Sequence, residues 1–556
     1  MTRVQKTAPL ARPHPFAPLK EKTFRRIWTS SVLGNLGQLI LGVGAAWEMT
    51  RLSDSTTMVA LVQSAMMLPL MIASLPAGAL ADMHDRRKVA MAGLGISMAS
   101  AAILTALALA GLATPWVLLA FCFLIGVGVA VYSPAWSASI NEQVMPANLP
   151  AAVALGTISY NFARSFGPAL GGVIVLAFGA TAAFGLNAVL YIPLLLAFFF
   201  WRREQLPARL PPEGVGRAIL SGTRYVFHSP VLKRSLTRAF MFGLASATAT
   251  ALAPLIARDT LDGDAALYGI LLGASGAGAV CGALFVSSVR EKFGTELATR
   301  LLMPIAGIGL IVIGISTNVL LTCAALACVG ASNILVIALY NVAVQLSAPR
   351  WVLARALSLF ASCLTGGIAL GAWMWGALAD IWSVETAMIA SGSVMLFLPI
   401  VAIFLPLLEG SPAEAEPVEL RNEPETGLAV TMRSGPIIVE IDYRVAPPDA
   451  REFYNHALRF RALRLRNGGF GWSISRDIAD PTIWTERYQC PTWADYLRIR
   501  DRQTAADRDA QAAVATFLMD GYPPTVRRRL ERPFGSVRWQ PDSPDPKGDD
   551  RGVILP

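Results

Sequence analysis

The sequence predicts an all-α membrane protein of 12 transmembrane helices in two six-helix halves, followed by a C-terminal α+β domain. Three observations carry this reading. Of 556 residues, 54% are hydrophobic and 15% charged, against about a quarter charged in an ordinary soluble protein. Twelve stretches stay apolar over the roughly 20 residues that a helix, rising about 1.5 Å per residue, needs to cross the hydrocarbon core. The charge also changes character along the chain: residues 1 to 408 hold 26 Lys and Arg against 15 Asp and Glu, while residues 409 to 556 hold 21 against 23.

Residues 1 to 26 form a basic, proline-containing N-terminal segment. The first apolar run is too long for a signal-peptide core and has no cleavage-like small-residue site, so it reads as an uncleaved first span. The expected spans are 27 to 50, 58 to 81, 89 to 113, 116 to 138, 151 to 178, 182 to 201, 239 to 257, 267 to 289, 298 to 316, 319 to 343, 354 to 379 and 386 to 408. The first six make one half, 27 to 201, and the last six another, 239 to 408, with a central loop at 202 to 238. Lys and Arg stay on the cytoplasmic side of short loops. With the N-terminus inside, the inner segments carry 23 of them and the outer loops only Arg51 and Arg258. Both termini are therefore expected in the cytoplasm.

A duplicated half follows from the six-plus-six division. At an offset of 204, Gly78-Ala79-Leu80 meets Gly282-Ala283-Leu284 and Arg86 meets Arg290; at 203, Pro146 meets Pro349; at 200, Gly167 and Gly171 meet Gly367 and Gly371. Two parallel six-helix halves suit a transporter in which one bundle rocks against the other. Other classes fit less well. The basic residues lie between apolar runs rather than on one compact face, which argues against nucleic acid. The six cysteines have neither metal-site nor disulfide spacing, the four histidines are scattered, and no phosphate-binding loop of the Gly-x-x-x-x-Gly-Lys type occurs. No cofactor and no metal are expected.

Two motifs carry more specific information. After the second span the chain reads Gly78-Ala79-Leu80-Ala81-Asp82-Met83-His84-Asp85-Arg86-Arg87-Lys88: a glycine for close helix approach, an acid at a helix end, then arginines. In the fifth span, Tyr160-Asn161-Phe162-Ala163-Arg164-Ser165-Phe166-Gly167-Pro168-Ala169-Leu170-Gly171-Gly172 combines a kink residue with small residues that let helices touch. Arg164 lies near the middle of that span, where a charge is costly and usually functional, so it is expected to face a central cavity. Asn35, Gln38, Tyr160 and Asn161 either line that cavity with it or make interhelical hydrogen bonds. Glu48 and Asp380 stand at the outer ends of their spans and read as interfacial.

These two motifs, with Phe24-Arg25-Arg26-Ile27-Trp28, resemble the major facilitator superfamily over about residues 20 to 408, in its enterobactin exporter-like branch. The resemblance implies the major facilitator fold, an inner gate at Gly78, Asp82, Arg86 and Arg87, and an exporter motif at Asn161, Arg164, Gly167, Pro168, Gly171 and Gly172. It also implies that the acid latches to an arginine and a helix N-terminus across the two halves, and that cargo such as a siderophore or drug leaves against entering protons. Two departures stand out: His84-Asp85 replaces a basic or glycine residue, and Ala163 replaces a glycine.

Beyond a Glu- and Pro-rich linker at 409 to 432, residues 433 to 540 are expected to fold, with a disordered tail at 541 to 556. Ile437, Val439, Ile441, Tyr443 and Val445 alternate as in a half-buried strand. Asp449 and Glu452 look like a capping box for a helix ended by Asn467-Gly468. Strands follow at 472 to 476 and 483 to 488, a helix from Thr492 to about Phe517, and a strand near Val526 to Leu530. This β-α-β-β-α-β order is ferredoxin-like. Through Thr492-Trp493-Ala494-Asp495-Tyr496-Leu497-Arg498 and Arg502-Gln503-Thr504 the domain resembles antibiotic-biosynthesis monooxygenases. Tyr496 and Arg500 stand where that family often has His, and His456 reads as a helix-surface residue.

The expected function is therefore a secondary exporter of small organic molecules in the bacterial inner membrane, coupled to protons and working by alternating access. It is not expected to be an enzyme. Its partners would be the cargo, protons and the lipid bilayer, with dimerisation through the C-terminal domain. A membrane-anchored oxygenase-like enzyme and a membrane sensor stay open as alternatives.

Overall fold

The computed structural model describes residues 16–145, 148–202, 215–349, 352–407, 424, 426–428, 430–501, 505–519 and 521–531. The start of the N-terminal segment, nearly all of the first part of the linker, Arg350, the Arg502-Gln503-Thr504 run and the tail at 541 to 556 lie outside the described residues, as do the side chains of Gly78, Asp82 and Arg459. The chain divides into two compact units. One comprises residues 1–207, 238–339 and 361–405, the other residues 208–237, 340–360 and 406–556.

Long helices build the first unit: α1 Lys22–Leu52, α2 Thr56–Met83, α3 Arg86–Leu109, α4 Pro115–Gln143, α5 Leu149–Phe178 and α6 Ala180–Phe199. After α7 Val215–His228 come α8 Pro230–Ser246, α9 Ala265–Leu284, α10 Val286–Ile315, α11 Val319–Ser347, α12 Leu353–Ile381 and α13 Val384–Phe404. Side-chain and backbone caps set their ends. Ser55, Asp85, Thr114, Asp264 and Ser383 each accept an N–H from the first turn that follows, satisfying donors that the helix itself cannot.

Among the described residues eleven helical spans are long and apolar enough to cross a membrane. Their positions match the second to twelfth expected spans. The first expected span falls on α1, whose 31 residues give a length of about 46 Å, but whose Asn35, Gln38 and Glu48 leave it outside that apolar set. Two boundaries shift. The seventh span begins at Pro230, not 239, and its last part is broken into short turns at Thr248–Ala251 and Ala253–Leu255 and a π-helical turn at Ile256–Thr260. Pro254 sits in that break and cannot donate a backbone hydrogen bond. In α10, Gly294 adopts φ 67° and ψ 173°, a conformation that glycine takes without strain, so the helix proper restarts at Thr295.

For each side of the bundle, the near side is the one where α1 begins and the far side the one where it ends. On the near half, Ile27, Leu94, Tyr191, Leu194 and Phe198 bury one another where α1, α3 and α6 meet.

The second unit contains a four-stranded antiparallel sheet of order β2-β3-β1-β4, with β1 Ile437–Arg444, β2 Phe470–Arg476, β3 Ile483–Cys490 and β4 Thr525–Leu530. The helices are α14 Ala450–Asn467, α15 Trp493–Asp501 and α16 Ala505–Ala515. Ile437, Val439, Ile441 and Tyr443 of β1 meet Phe453, Phe460, Tyr488, Trp493 and Tyr496 in the core, as their alternation requires. The opposite face is polar and carries the ion pairs Arg527–Asp442 and Arg529–Glu440. Gly468, at φ 112°, ends α14 as expected. One expectation changes. Asp449 makes no side-chain cap, because residues 447 to 449 form a 3-10 turn ahead of the helix. The second expected helix falls on α15 and α16, on either side of residues 502–504, which lie outside the described residues, and it is capped at Thr492, whose Oγ1 accepts the Asp495 N–H at 3.2 Å.

In this unit α7 also packs on α14. Arg224 donates to the Gly468 carbonyl at 3.3 Å and the Arg466 guanidinium lies 5.1 Å from the Tyr225 ring centre. A Cβ added at Gly222 would sit 2.9 Å from Arg355 Cβ, at the start of α12.

Candidate functional site

Helix α5 has different neighbours around its axis. On one side Gly167 and Gly171 meet α1: a Cβ at Gly167 would lie 2.9 Å from Leu39 Cβ, and one at Gly171 would lie 3.2 Å from Ile40 Cα. On another side α5 meets α9, and here backbone touches backbone. A Cβ at Gly172 would lie 2.6 Å from Ala265 O and 2.8 Å from Gly269 Cα; one at Gly269 would lie 2.8 Å from Pro168 O; one at Gly276 would lie 2.7 Å from Arg164 O. Ser165 Oγ donates to Gly276 O at 3.2 Å. The expected motif is thus a double seam, joining α5 to its own half through Gly167 and Gly171 and to the other half through Pro168 and Gly172.

The seam stops halfway. Positions four and seven residues before 164 continue the same helical face toward the near side, and there the face is uncovered. Tyr160 is 50% exposed and Val153 51%, Thr157 is exposed, and a Cβ on Gly156 would meet nothing within 4 Å. Arg164 lies at the change from covered to uncovered, 15 residues from Leu149 and 14 from Phe178. Its side chain and that of Asn161 are half-buried. Among the described residues its guanidinium has no hydrogen bond and no ion pair, although an arginine at the middle of a span costs at least roughly 2.5 to 3.5 kcal/mol. Phe162, Phe166 and Leu170 form a separate exposed apolar stripe.

Other approaches between the halves lie from the middle to the far side. The Asp380 carboxylate, near the far end of α12, accepts the backbone N–H of Thr56 at 2.6 Å and of Thr57 at 3.0 Å, and the hydroxyls of Ser55 and Thr56 at 2.8 Å each. It thereby places an anion at the positive end of α2. Ser64 Oγ donates to Ala369 O at 2.6 Å, Arg258 donates to Thr50 O at 2.6 Å, and Trp47 stacks on Tyr268 at 6.2 Å. Asp380 is therefore a tie between halves, a role its place at a span end does not reveal. Gly269 and Gly276 join the halves as well, and their small-residue spacing on one helix is the packing signal for it. Glu48 pairs with Arg51 at 3.3 Å on the far side.

On the near side Arg86 donates to Ala138 O at 2.7 Å and to Glu142 Oε1 at 2.8 Å. Arg87 donates to Phe199 O and lies over the Phe199 ring. Both arginines thus bind α4 and α6 of their own half, and Glu142 is a partner that the motif alone does not show. The second half has its own near-side cluster, in which Glu296 pairs with Arg238 at 2.5 Å and with Arg300 at 2.6 Å. Asn35 donates to Ser159 Oγ at 3.1 Å, so it joins α1 to α5, while Gln38 one turn further is half-buried.

The C-terminal unit holds a different arrangement. Glu486 on β3 is fully buried and accepts from Arg464 Nε at 3.0 Å, Tyr443 Oη at 2.8 Å and Trp472 Nε1 at 3.0 Å. Burial raises the carboxyl pKa, but the Arg464 charge and these hydrogen bonds outweigh it and hold Glu486 below its ordinary value. Tyr496 Oη accepts from Arg528 Nε at 2.6 Å, and His456 is bonded to its own helix at Glu452 O. Burial pushes the Cys490 thiol up to about 12, which makes it unreactive. Among the described residues no three His, Cys, Asp or Glu gather as metal ligands.

The profile of the family described as transmembrane secretion effector matches residues 13–534. The multidrug efflux pump Tap of Mycolicibacterium fortuitum is 27% identical over 391 residues, covering 68% of this chain and 94% of that protein. The staphyloferrin A transporter of Staphylococcus aureus is 28% identical over 165 residues, covering 30% and 42%. In fold, the nucleoside transporter NupG is similar, with a TM-score of 0.57 at 11% identity over 69% of this chain and 99% of that one.

Proposed function

As a member of the transmembrane secretion effector family, a multi-pass membrane transporter, the chain is one that we propose exports small organic molecules from a bacterial cytoplasm by alternating access. The observation that carries this reading is the change along one face of α5, closed against α9 from the middle to the far side and uncovered toward the near side. In this reading α1 is the first span and brings the total to twelve, the near side is cytoplasmic because the basic residues cluster there, and the molecule faces inward. Tyr160, Asn161 and Arg164 line the cargo path, with Gln38 near it. Gly78, Asp82, Arg86 and Arg87 control the inner gate, Arg86 and Arg87 by bracing α3 against α4 and α6. Cargo would be of the drug or siderophore kind that its relatives' names suggest, and protons entering the cell would drive it outward.

The C-terminal unit, with its β-α-β-β-α-β order, reads as a ferredoxin-like module of the monooxygenase type used for regulation or dimerisation. The ion pairs across its open sheet face favour regulation, since a self-association face would bury that charge. Everted vesicles loaded with the intact chain and energised by an imposed pH gradient test the proposal. Accumulation of a multidrug dye that collapses with the gradient is expected. Cargo binding without net flux under any gradient would instead make the protein a sensor.

A further inference from the structure

We propose that the cargo path carries an anion-binding subsite at Arg164 and that the transporter selects organic anions over cations of the same apolar body. The inference rests on the export reading and adds the charge class of the cargo. Other charges of the described spans fall near helix ends or breaks, and several have partners there: Glu48 with Arg51, Glu142 with Arg86, Glu296 with Arg238 and Arg300, Asp380 with the start of α2. Arg164 alone among these sits in the middle of an unbroken span, where, among the described residues, no hydrogen bond or ion pair reaches its guanidinium.

Three features turn that position into a site. Arginine does not lose its proton in proteins and has five N–H donors in a planar fork suited to a carboxylate or similar oxyanion. The group stands where the α5–α9 seam ends, so a molecule entering along the uncovered face through Val153, Thr157 and Tyr160 meets it at the closed end. The half-exposed Tyr160 one turn away offers an aromatic surface and a hydroxyl beside the charge. An anion bound there supplies the missing partner, whereas a cation would have to approach a fixed like charge in a poorly screened place. Reopening on the far side, once the glycine seam parts, would release the anion to water.

The test reads the local charge without assuming a cargo. In a cysteine-depleted chain in everted vesicles, Asn161→Cys places a thiol one turn from Arg164 on the uncovered face. Its reaction rates with an anionic and a cationic methanethiosulfonate are compared, each relative to a free thiol. Arg164 should favour the anionic reagent, Arg164→Gln should lower that preference at least tenfold, and Arg164→Lys should keep most of it. A preference unchanged by Arg164→Gln, or a thiol that neither reagent reaches, overturns the subsite. In the same vesicles without the Cys replacement, pyrenebutyrate should move at least tenfold faster than pyrenebutyltrimethylammonium, a bias absent in Arg164→Gln. Equal or faster movement of the cation removes the anion selectivity and leaves export standing; movement of neither probe nor of any dye removes both readings.

Discussion

In the C-terminal domain the Arg464 guanidinium is enclosed with a carboxylate, held on the Tyr488 ring at 4.8 Å, and Glu486 shares its remaining lone pairs with Tyr443 and Trp472. Halfway along α5, Arg164 has none of these companions among the described residues. Arg464 is buried and its protein partners offset the cost, whereas Arg164 is half-buried in mid-span without such partners. A buried pair of the first kind specifies a fold, because breaking it strands a charge. An unpartnered charge of the second kind serves something that comes and goes.

The comparison breaks if the two sites respond alike to mutation. Removing the acid with Glu486→Ala should destabilise the C-terminal domain by about 3 to 5 kcal/mol, seen as protease-sensitive tail in the full-length protein, while Arg164→Gln should leave protease resistance unchanged and bring pyrenebutyrate transport down to the level of the cationic probe. Acid gives a related check. The ordinary glutamate value is 4.5 and Glu486 is held below it, so its contribution is complete above pH 4.5 and is lost as the pH falls through the lower folded-state value. Protease resistance of the tail should therefore be flat from pH 7 to 5 and fall only in stronger acid; a loss centred near pH 6 would contradict the assignment.

Next in size comes the boundary that Arg164 marks. Gly172→Ala, whose new methyl meets backbone at 2.6 Å, should cost about 1 to 3 kcal/mol in the closed state by overpacking and reduce transport at least tenfold. Gly156→Ala on the same face has open space and should change transport less than twofold. Asp380→Asn removes an anion from the start of α2, worth about 0.3 to 1 kcal/mol, and should slow transport about two- to fivefold by loosening the far side. Smallest is Arg466→Ala, which deletes a cation–π contact with Tyr225 worth about 0.5 to 1 kcal/mol; it should raise protease cutting of α7 no more than a few-fold and leave the sheet intact.

Much of this was legible in the residues because membrane and strand periodicities are written in composition. Eleven spans, the alternation of Ile437 to Tyr443 and the Asn467-Gly468 helix end needed only local signals. Broken helices were harder: Pro254 and Gly294 are breaks only in a backbone context, since Pro168 and Pro193 lie inside unbroken helices. The site divided the same way. Pro168, Gly171 and Gly172 announce close packing, but nothing in α5 says which helix approaches, so Gly269, Gly276 and Asp380 became visible only as partners. Glu142 stands 56 residues from Arg86, and that pairing depends on how α3 lies on α4.

The seam between α5 and α9 is the centre of the account, and it can be locked. A Cβ on Gly273 would lie 3.5 Å from Ala169 Cβ, within the usual disulfide range of about 3.5 to 4.5 Å. In a cysteine-depleted chain, Ala169→Cys with Gly273→Cys should cross-link under mild oxidation, stop transport, and recover it when the bond is reduced. Full transport by the cross-linked protein would show that the halves need not part along this seam and would contradict the mechanism.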